Sequence, residues 1–155
     1  MAKFENQEEM IKAIVTVINS SRRNIHVYVR RIDPIIWSDK RVIEAIKAFI
    51  RGYKHAQFEV IQYDSHFAKS SEFFKLAKRL SQIQILQVSD EIIRVEPERN
   101  YIYADIKSVL IQPHKDEYIG IFSTDDKAKN QTIQDKYKHI KVMAKPSVEF
   151  KTLMV

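Results

Sequence analysis

The sequence predicts an α/β fold, in which a mixed β-sheet is flanked by helices within a single domain that spans residues 1–155. Two observations carry this prediction. Through residue 88, segments with helical periodicity alternate with segments in which apolar residues recur at every second position. After residue 90, short strand-like segments follow one another without intervening helices, and one long helical segment comes after them. The chain has no repeats, low-complexity tracts or Gly/Ser-rich linker, so nothing marks a domain boundary.

The first predicted helix covers residues 7–19. It begins with the capping-box pattern, with Asn6 as the N-cap and Glu9 three residues later. Its apolar positions are Ile11, Ile14, Val15 and Ile18, spaced as one helical face. A strand follows over residues 25–29, where apolar and polar side chains alternate. Pro34 interrupts the pattern, because proline lacks a backbone donor and restricts the residue before it.

The middle of the chain predicts two more helices and two more strands. Ser38 or Asp39 is expected to cap a second helix, and Gly52 stands where a left-handed residue often ends one. The inner face of that helix consists of Val42, Ile46, Phe49 and Ile50. The elements that follow are a strand over residues 58–63, a helix around residues 73–80 and a strand over residues 83–88.

The last third predicts strand-like runs over residues 101–104, 107–112 and 118–122, a helix over residues 127–144 and a final strand over residues 148–153. Tyr101 and Tyr103 point to the same side of their strand, and we expect them to pack against a helix. Trp37, the single tryptophan, is expected to anchor the loop after Pro34, or alternatively to form a pocket wall.

The composition excludes several functional classes. With only Gly52 and Gly120, the chain has no dinucleotide-binding fingerprint, no P-loop and no nucleophile elbow. Without cysteine there is no thiolate nucleophile, disulfide or cysteine-based metal site, and no cofactor is expected. The acidic, polar N-terminus is unlike a signal peptide, and no apolar run approaches the roughly 18 residues of a membrane span. The sequence therefore predicts a cytoplasmic protein.

The net charge of +6 is unevenly distributed. Residues 1–80 contain 15 Lys/Arg against 9 Asp/Glu, whereas the two classes balance in residues 81–155. A basic half favours anionic partners such as nucleic acid, phosphates or acidic lipid headgroups, the alternative being simple solubility. We expect the fold to gather on one rim the basic residues at the ends of the predicted elements, which are Arg22, Arg23, Arg51, Lys54, His55, Lys78 and Arg79.

An ordered series of short motifs carries a family resemblance. The segments are Ile25-His26-Val27-Tyr28, Ile32-Asp33-Pro34 followed by Asp39, Val60-Ile61-Gln62-Tyr63-Asp64 and Leu76-Ala77-Lys78-Arg79-Leu80-Ser81. Together they resemble an uncharacterised bacterial family of phospholipase D-like domains. The resemblance implies a mixed sheet flanked by helices, as in one half of the phospholipase D/nuclease fold, and it makes a homodimer plausible because two halves of that superfamily commonly share one cleft.

The catalytic motif of that superfamily, His-x-Lys-x4-Asp, has no counterpart in this chain. The segment expected to carry it, residues 103–110, contains no histidine, and Gly120 remains where the superfamily has a Gly-Ser pair. The sole His-x-Lys, His139-Ile140-Lys141, has Pro146 at the aspartate position and lies on a predicted helix. Without the histidine nucleophile the covalent mechanism has no first step. The resemblance therefore predicts the fold and a non-catalytic role, that of an anion- or partner-binding regulatory module.

The carboxyl ends of the parallel strands are the expected ligand site of an open α/β sheet. Those ends place five candidate anion-binding residues together, Arg30, Arg31, Asp33, Asp64 and His66, with Ser89 and Asp90 after the third strand. An arginine is suited to a phosphate-containing ligand, the alternative being an Arg–Asp pair that fixes a loop. Asp64 and His66 alone are too few for a metal site, and no metal is predicted. Because Arg30 and Arg31 alternate in direction, only one is expected on each side of the sheet.

Two further functions compete with the non-catalytic binding module. The first is a divergent phosphodiesterase or nuclease that uses Arg30, Asp64 and His66. The second is a nucleic-acid-binding domain that uses the basic N-terminal half. A basic stretch on the last predicted helix, Lys136, Lys138, Lys141 and Lys145, is a further nucleic-acid candidate, although such a helix face is usually only solvated.

Overall fold

The computed structural model describes residues 1–64, 70–89, 91–92 and 99–147, which form one sheet with helices packed on both faces. The strands are β1 (Ala2–Phe4), β2 (Asn24–Val29), β3 (Gln57–Gln62), β4 (Ile83–Gln87), β5 (Asn100–Ala104), β6 (Ser108–Gln112), β7 (Gly120–Ser123) and β8 (Lys145–Pro146). The helices are α1 (Gln7–Asn19), α2 (Pro34–Trp37), α3 (Lys40–Gly52), α4 (Glu72–Arg79) and α5 (Lys127–Met143). None of the described helices is long and apolar enough to span a membrane.

The sheet is mixed, as the sequence predicts, with the strand order β1-β7-β6-β5-β2-β3-β4-β8. Strands β2, β3 and β4 run parallel to one another, because helices between them carry the chain back to the starting edge. Strands β5, β6 and β7 form an antiparallel meander, and β5 joins it to β2. The last third of the chain therefore forms the antiparallel half of the sheet, in which short loops join neighbouring strands and no crossover helices are needed.

The two faces of the sheet bury separate apolar clusters. Alternate residues of β2 divide between them: Val27 joins the cluster under α1, α3 and α4, whereas Tyr28 joins the cluster under α5. The apolar stripe of α5 consists of Ile133, Tyr137 and Ile140, all fully or almost fully buried. Tyr103 packs on Tyr137 with ring centroids 5.3 Å apart, which confirms its predicted packing against a helix.

The predicted caps of the first two long helices are confirmed. Asn6 Oδ1 accepts a hydrogen bond from the Glu9 amide at 2.9 Å, and the Glu9 carboxylate accepts one from the Glu5 amide at 3.2 Å. The reciprocal bond of this capping box thus reaches the residue before the N-cap. Of the two candidates for the second cap, Asp39 is the N-cap of α3, where its Oδ1 accepts from the Arg41 amide at 2.8 Å.

The loop after β2 contains a short helix that the sequence analysis did not predict. Asp33 is the N-cap of α2 and Pro34 its first residue, a position where a missing N–H costs no hydrogen bond. A four-residue helix is too short to show a periodic pattern, so the sequence indicated only an interruption at Pro34. Trp37 ends α2 and is 4% exposed, packed edge-on against Phe58 and Phe73. Its predicted role as the anchor of this loop is confirmed.

The predicted strand-like runs over residues 101–104 and 107–112 are confirmed as the two arms of a hairpin, so residues 103–110, the segment expected to carry the catalytic motif, are not one continuous strand. Strand β5 ends at Ala104, a turn follows, and β6 begins at Ser108, so the segment is a hairpin. Asp105 begins the turn with φ 49°, a left-handed conformation that aspartate tolerates better than most residues.

The short strands β1 and β8 were missed because two or three residues cannot display alternation. The predicted strand over residues 148–153 lies outside the described residues.

The two glycines lie in contrasting surroundings. Gly52 is the last residue of α3, and its φ is not positive, so the predicted left-handed cap is wrong; Tyr53 follows in an extended conformation. Gly120 is required by close packing. A Cβ there would lie 2.0 Å from the Ile111 carbonyl oxygen and 2.4 Å from Phe4 Cζ, whereas a Cβ at Gly52 would meet nothing within 4 Å.

This contrast makes a matched pair of substitutions informative. Gly120→Ala is expected to destabilise the fold by about 1–3 kcal/mol or more, because one of the clashing atoms is backbone and cannot rotate away. Gly52→Ala should be neutral or stabilise by up to about 1 kcal/mol, since it removes backbone freedom from the unfolded chain. Urea unfolding of both variants measures these effects. Equal stability of the two variants would contradict the close approach at Gly120.

Candidate anion-binding site

A pocket of about 130 Å3 opens where β2 ends, beside the start of β5 and the end of β6. Arg30 and Arg31 follow β2 directly, Asp33 follows them as the cap of α2, and all three line the pocket. Asp64, after β3, is not part of the lining but contacts Arg30. Four of the five predicted site residues are therefore brought together, while His66 lies outside the described residues. Of the other strand-end residues, Ser89 is exposed and Asp90 lies outside the described residues.

Both arginines face the same pocket, so the expectation that they point to opposite sides is wrong. Strand β2 ends at Val29, and Arg30 and Arg31 lie in a bend where the alternation of a strand no longer applies. The lining is completed by Trp37, Asn100, Gln112, Lys115, Asp116 and Tyr118, among others. Trp37 consequently serves both as the loop anchor and as a pocket wall, the two roles that the sequence analysis treated as alternatives.

Arg30 is held by two carboxylates and one amide. Its Nε lies 3.4 Å from Asp64 Oδ2, and its Nη1 donates to Asp116 Oδ1 at 2.9 Å. Its backbone amide donates to Asn100 Oδ1 at 3.0 Å. The Arg30–Asp64 contact is the loop-fixing pair considered as the alternative to ligand binding. The Asp116 side chain, by contrast, is 71% exposed and belongs to the loop between β6 and β7.

Arg31 differs from Arg30 in its surroundings. It is exposed at the pocket, and within the described part of the chain it is in no ion pair. Its charge is close enough to Tyr118 to favour the phenolate of that residue. Arg31 is therefore the guanidinium that an incoming anion reaches without first displacing a carboxylate.

Asp33 has a structural role. Its Oδ1 accepts from the Ile35 amide at 3.0 Å and caps α2, while its Oδ2 accepts from the Tyr118 hydroxyl at 2.9 Å. Burial raises the pKa of Tyr118 to about 12, and the hydrogen bond to Asp33 adds to the shift. The Asp33–Tyr118 bond ties the loop before β7 to the loop after β2 and thereby closes one side of the pocket.

An amide pair on the other side was missed by the sequence analysis. Asn100 Nδ2 donates to Gln112 Oε1 at 2.9 Å, and Gln112 Nε2 donates to the Glu117 carbonyl at 2.7 Å. Gln112 is 2% exposed, an unusual burial for this side chain. Both residues begin or end strands of the meander, and their meeting depends on the antiparallel register of β5 and β6. No local pattern in the sequence signals it.

A second polar cluster, centred on Glu59, lies on the α5 face of the sheet. Tyr137 donates its hydroxyl to Glu59 Oε1 at 2.8 Å, and Lys141 Nζ donates to Oε2 at 3.0 Å. His26 Nδ1 lies 3.6 Å from Oε1, too far for a good hydrogen bond, and its ring stacks on Tyr103. The sequence analysis placed Lys141 on a face that is either solvated or binds nucleic acid, and it missed the pairing of Lys141 with Glu59 on β3.

This cluster sets the charge state of Glu59. Burial alone would raise the pKa of the carboxyl group, but its contacts with His26, Tyr137 and Lys141 outweigh burial and lower the pKa to about 2. The pKa of Tyr137 is raised well above its ordinary value by burial and by the neighbouring carboxylate. Glu59 is thus a buried anion neutralised by Lys141, and it fastens the last two turns of α5 to the sheet.

The shifted pKa of Glu59 predicts a pH-dependent stability. Because the pKa is about 2 in the folded chain and 4.5 ordinarily, the stabilisation is complete above pH 4.5 and disappears as the pH falls from 4.5 toward 2. The upper bound is about 3 kcal/mol. Urea unfolding between pH 2.5 and 7 should show this loss in the wild type and a much weaker pH dependence in Glu59→Gln.

Glu44→Gln is the control, because Glu44 is an exposed carboxylate paired with Lys47 three residues away. Such surface pairs contribute between zero and about 1 kcal/mol. The control should follow the wild-type curve. If Glu59→Gln also followed that curve, the role assigned to the buried carboxylate would be wrong.

The chemical groups of this end of the sheet suit an oxyanion more than a metal. Among the described residues, no group of three or more His, Asp or Glu side chains is arranged to hold a metal ion. The only His-x-Lys of the chain, His139 and Lys141, lies on α5 far along the chain from the pocket loops, and Lys141 is bound to Glu59. The polar groups that line the pocket are guanidinium, ammonium, amide and phenol donors, together with carboxylates.

Residues 6–153 match the family described as "Domain of unknown function (DUF7931)". The chain belongs to this family. Among curated proteins, none matches the sequence. The DUF7931 chain is similar in structure to NucT from Helicobacter pylori, with a TM-score of 0.68 and 14% identity over 94% of this chain and 97% of NucT.

Two further solved structures share the fold. Nuc from Salmonella typhimurium, a phospholipase D family member, has a TM-score of 0.55 and 12% identity over 86% of this chain and 87% of Nuc. TrmBL2, described as an archaeal chromatin protein with a novel mode of DNA binding, has a TM-score of 0.64 and 10% identity. That match covers 95% of this chain and 54% of TrmBL2. The DUF7931 chain therefore has a phospholipase D/nuclease-like fold, as the resemblance predicted.

Proposed function

We propose that this chain is a non-catalytic phospholipase D-like module that binds an anionic group in the pocket at the carboxyl end of β2. The observation that supports the proposal most directly is Arg31, an exposed guanidinium at the pocket that no described carboxylate neutralises. Guanidinium groups bind phosphate and carboxylate oxygens through two parallel hydrogen bonds. The ligand classes are a phosphate-containing molecule, an acidic group of a protein partner, or a second copy of this chain.

Asp116 supplies a physical rationale for a regulated site. Its carboxylate occupies Arg30 Nη1 from an exposed loop, in the position that an oxygen of a bound anion would take. Binding to both arginines then requires Asp116 to leave, whereas Asp64 and Asn100 continue to hold Arg30 in place. The exposed pair with Asp116 is weak enough to be displaced, since such pairs contribute between zero and about 1 kcal/mol.

Substitutions at Arg31 and Asp116 are expected to act in opposite directions. Arg31→Ala should reduce the affinity for inorganic phosphate or pyrophosphate by about tenfold or more, because charge-assisted hydrogen bonds of this kind contribute about 1.5–3 kcal/mol. Asp116→Asn should increase the affinity several-fold, because it removes the competing charge. Isothermal titration calorimetry at low salt measures both. Lys12→Ala, an exposed charge on α1, is the control and should leave the affinity unchanged.

Absence of binding in the wild type, or equal effects of Arg31→Ala and Lys12→Ala, would refute the pocket as the site. An increase in affinity in both Asp116→Asn and Glu44→Gln would show that only net charge matters. The proposal needs the increase to be confined to Asp116→Asn, because Asp116 contacts a pocket arginine whereas Glu44 pairs with Lys47 on α3.

The competing function is a divergent phosphodiesterase or nuclease that uses Arg30, Asp64 and His66. The fold shared with NucT and Nuc supports this alternative. The missing His-x-Lys-x4-Asp motif argues against it, because the superfamily's covalent mechanism requires that histidine. Incubation with bis-p-nitrophenyl phosphate and with DNA, each with and without divalent metals, is expected to give no turnover. Turnover that disappears in His66→Ala would replace the binding proposal with the enzymatic one.

A further inference from the structure

The amino ends of the parallel strands form a second charged surface, at the opposite edge of the sheet from the pocket. Three connections meet there: residues 20–23 before β2, residues 51–56 before β3 and residues 78–82 before β4. They contain six cations and no carboxylate, and we call this set the basic rim. Its members are Arg22, Arg23, Arg51, Lys54, Lys78 and Arg79, all exposed. Their charge of +6 equals the net charge of the whole chain.

The basic rim is held in place by the backbone. The Gln57 amide donates to the Arg23 carbonyl at 2.8 Å, and the Phe58 amide donates to the Gln82 carbonyl at 2.9 Å, so the three connections lie side by side. The Asp105 carboxylate accepts hydrogen bonds from the amides of residues 22, 23 and 24 at 2.8–2.9 Å. Asp105 is the nearest carboxylate to the first connection, and its oxygens are engaged by the backbone that presents the arginines.

None of the six cations is in an ion pair within the described ranges. Arg30 and Arg41, by comparison, each contact two carboxylates. Favourable interaction with helix dipoles explains Arg51, Lys78 and Arg79, which lie in the last turns of α3 and α4. Helix dipoles do not explain Arg22, Arg23 and Lys54, because these residues lie outside helices. Arg22 and Arg23 follow α1, which has no basic residue in its last turn. Clustered like charges repel one another, and an anionic partner would relieve that repulsion.

We infer that the basic rim binds the phosphodiester backbone of nucleic acid without reading its sequence. Neighbouring strands lie about 4.8 Å apart, so three connections present cations across roughly 10 Å, enough to reach several phosphates of one duplex. Four of the six cations are arginines, whose planar forks suit phosphate oxygens. Peripheral membrane binding needs a broad apolar face as well as charge, and the three connections contain a single exposed large apolar side chain, Tyr53.

The binding of a 20-base-pair DNA duplex, measured by fluorescence anisotropy between 20 and 200 mM salt, tests this inference. Releasing counterions from about three to five phosphates gives a slope of about −3 to −5 in a plot of log affinity against log salt. The triple variant Arg22→Ala, Lys54→Ala, Arg79→Ala, with one change in each connection, should reduce the slope by about 3 and the affinity at least tenfold at 100 mM salt.

The triple variant Lys12→Ala, Lys136→Ala, Lys138→Ala is the matched control, because it removes the same charge from α1 and α5 and should change the affinity less than twofold. Arg31→Ala, in the pocket, should also bind the duplex normally, so failure of the pocket proposal and failure of this one are distinguishable. Protection of Lys54 and Lys78 from acetylation by bound duplex, with Lys138 unprotected, tests the same surface in the unaltered chain.

Four results would overturn the inference: no duplex binding at 20 mM salt, equal losses in the rim and control variants, loss of binding in Arg31→Ala, or labelling of Lys54 and Lys78 that duplex does not reduce. Binding to phosphatidylserine vesicles without binding to the duplex would assign the basic rim to a membrane surface and overturn it as well.

Discussion

The contact between Glu59 and helix α5 is the interaction on which the second layer of the fold depends. An eight-stranded sheet must be covered on both faces, and α5 is the only described helix on its face. Glu59 is a carboxylate inside that layer, and it is tolerated because Tyr137 and Lys141 donate to both of its oxygens. The contact fixes the position of α5 along the sheet as well as its distance from it. An apolar pair would not specify that register.

Strand direction explains why two chemically different surfaces lie at opposite edges. Strands β2, β3 and β4 are parallel. The loops that follow them therefore lie together at the carboxyl ends of the strands, and the connections that precede them lie together at the amino ends. The loops at the carboxyl ends of these strands contain charges of both signs, because Asp33, Asp64 and Asp116 lie there together with arginines. The three connections before the strands, which form the basic rim, contain cations and no carboxylate. Strand β2 has six residues, so about 20 Å separates the two surfaces, which is about 2.5 Debye lengths at physiological salt.

Most of the fold was predictable, because its helices and strands are long enough to show periodicity and its helices begin with recognisable caps. The elements that were missed share a physical reason: β1, α2 and β8 contain too few residues to show a periodic pattern. Gly52 was misread because a glycine after a helical segment usually adopts a left-handed conformation, whereas here it completes the helix.

The sequence by itself determined the order of elements, the absence of the histidine motif and the concentration of charge in the first half, since each depends only on residue identity and spacing. Tertiary structure decided which of these residues meet. The Asn100–Gln112 pair, the approach of Phe4 to Gly120 and the Glu59–Lys141 contact join residues 12 to 116 positions apart. Such contacts depend on sheet register and helix placement. These are set by the packing of the whole chain and leave no local signal in the sequence.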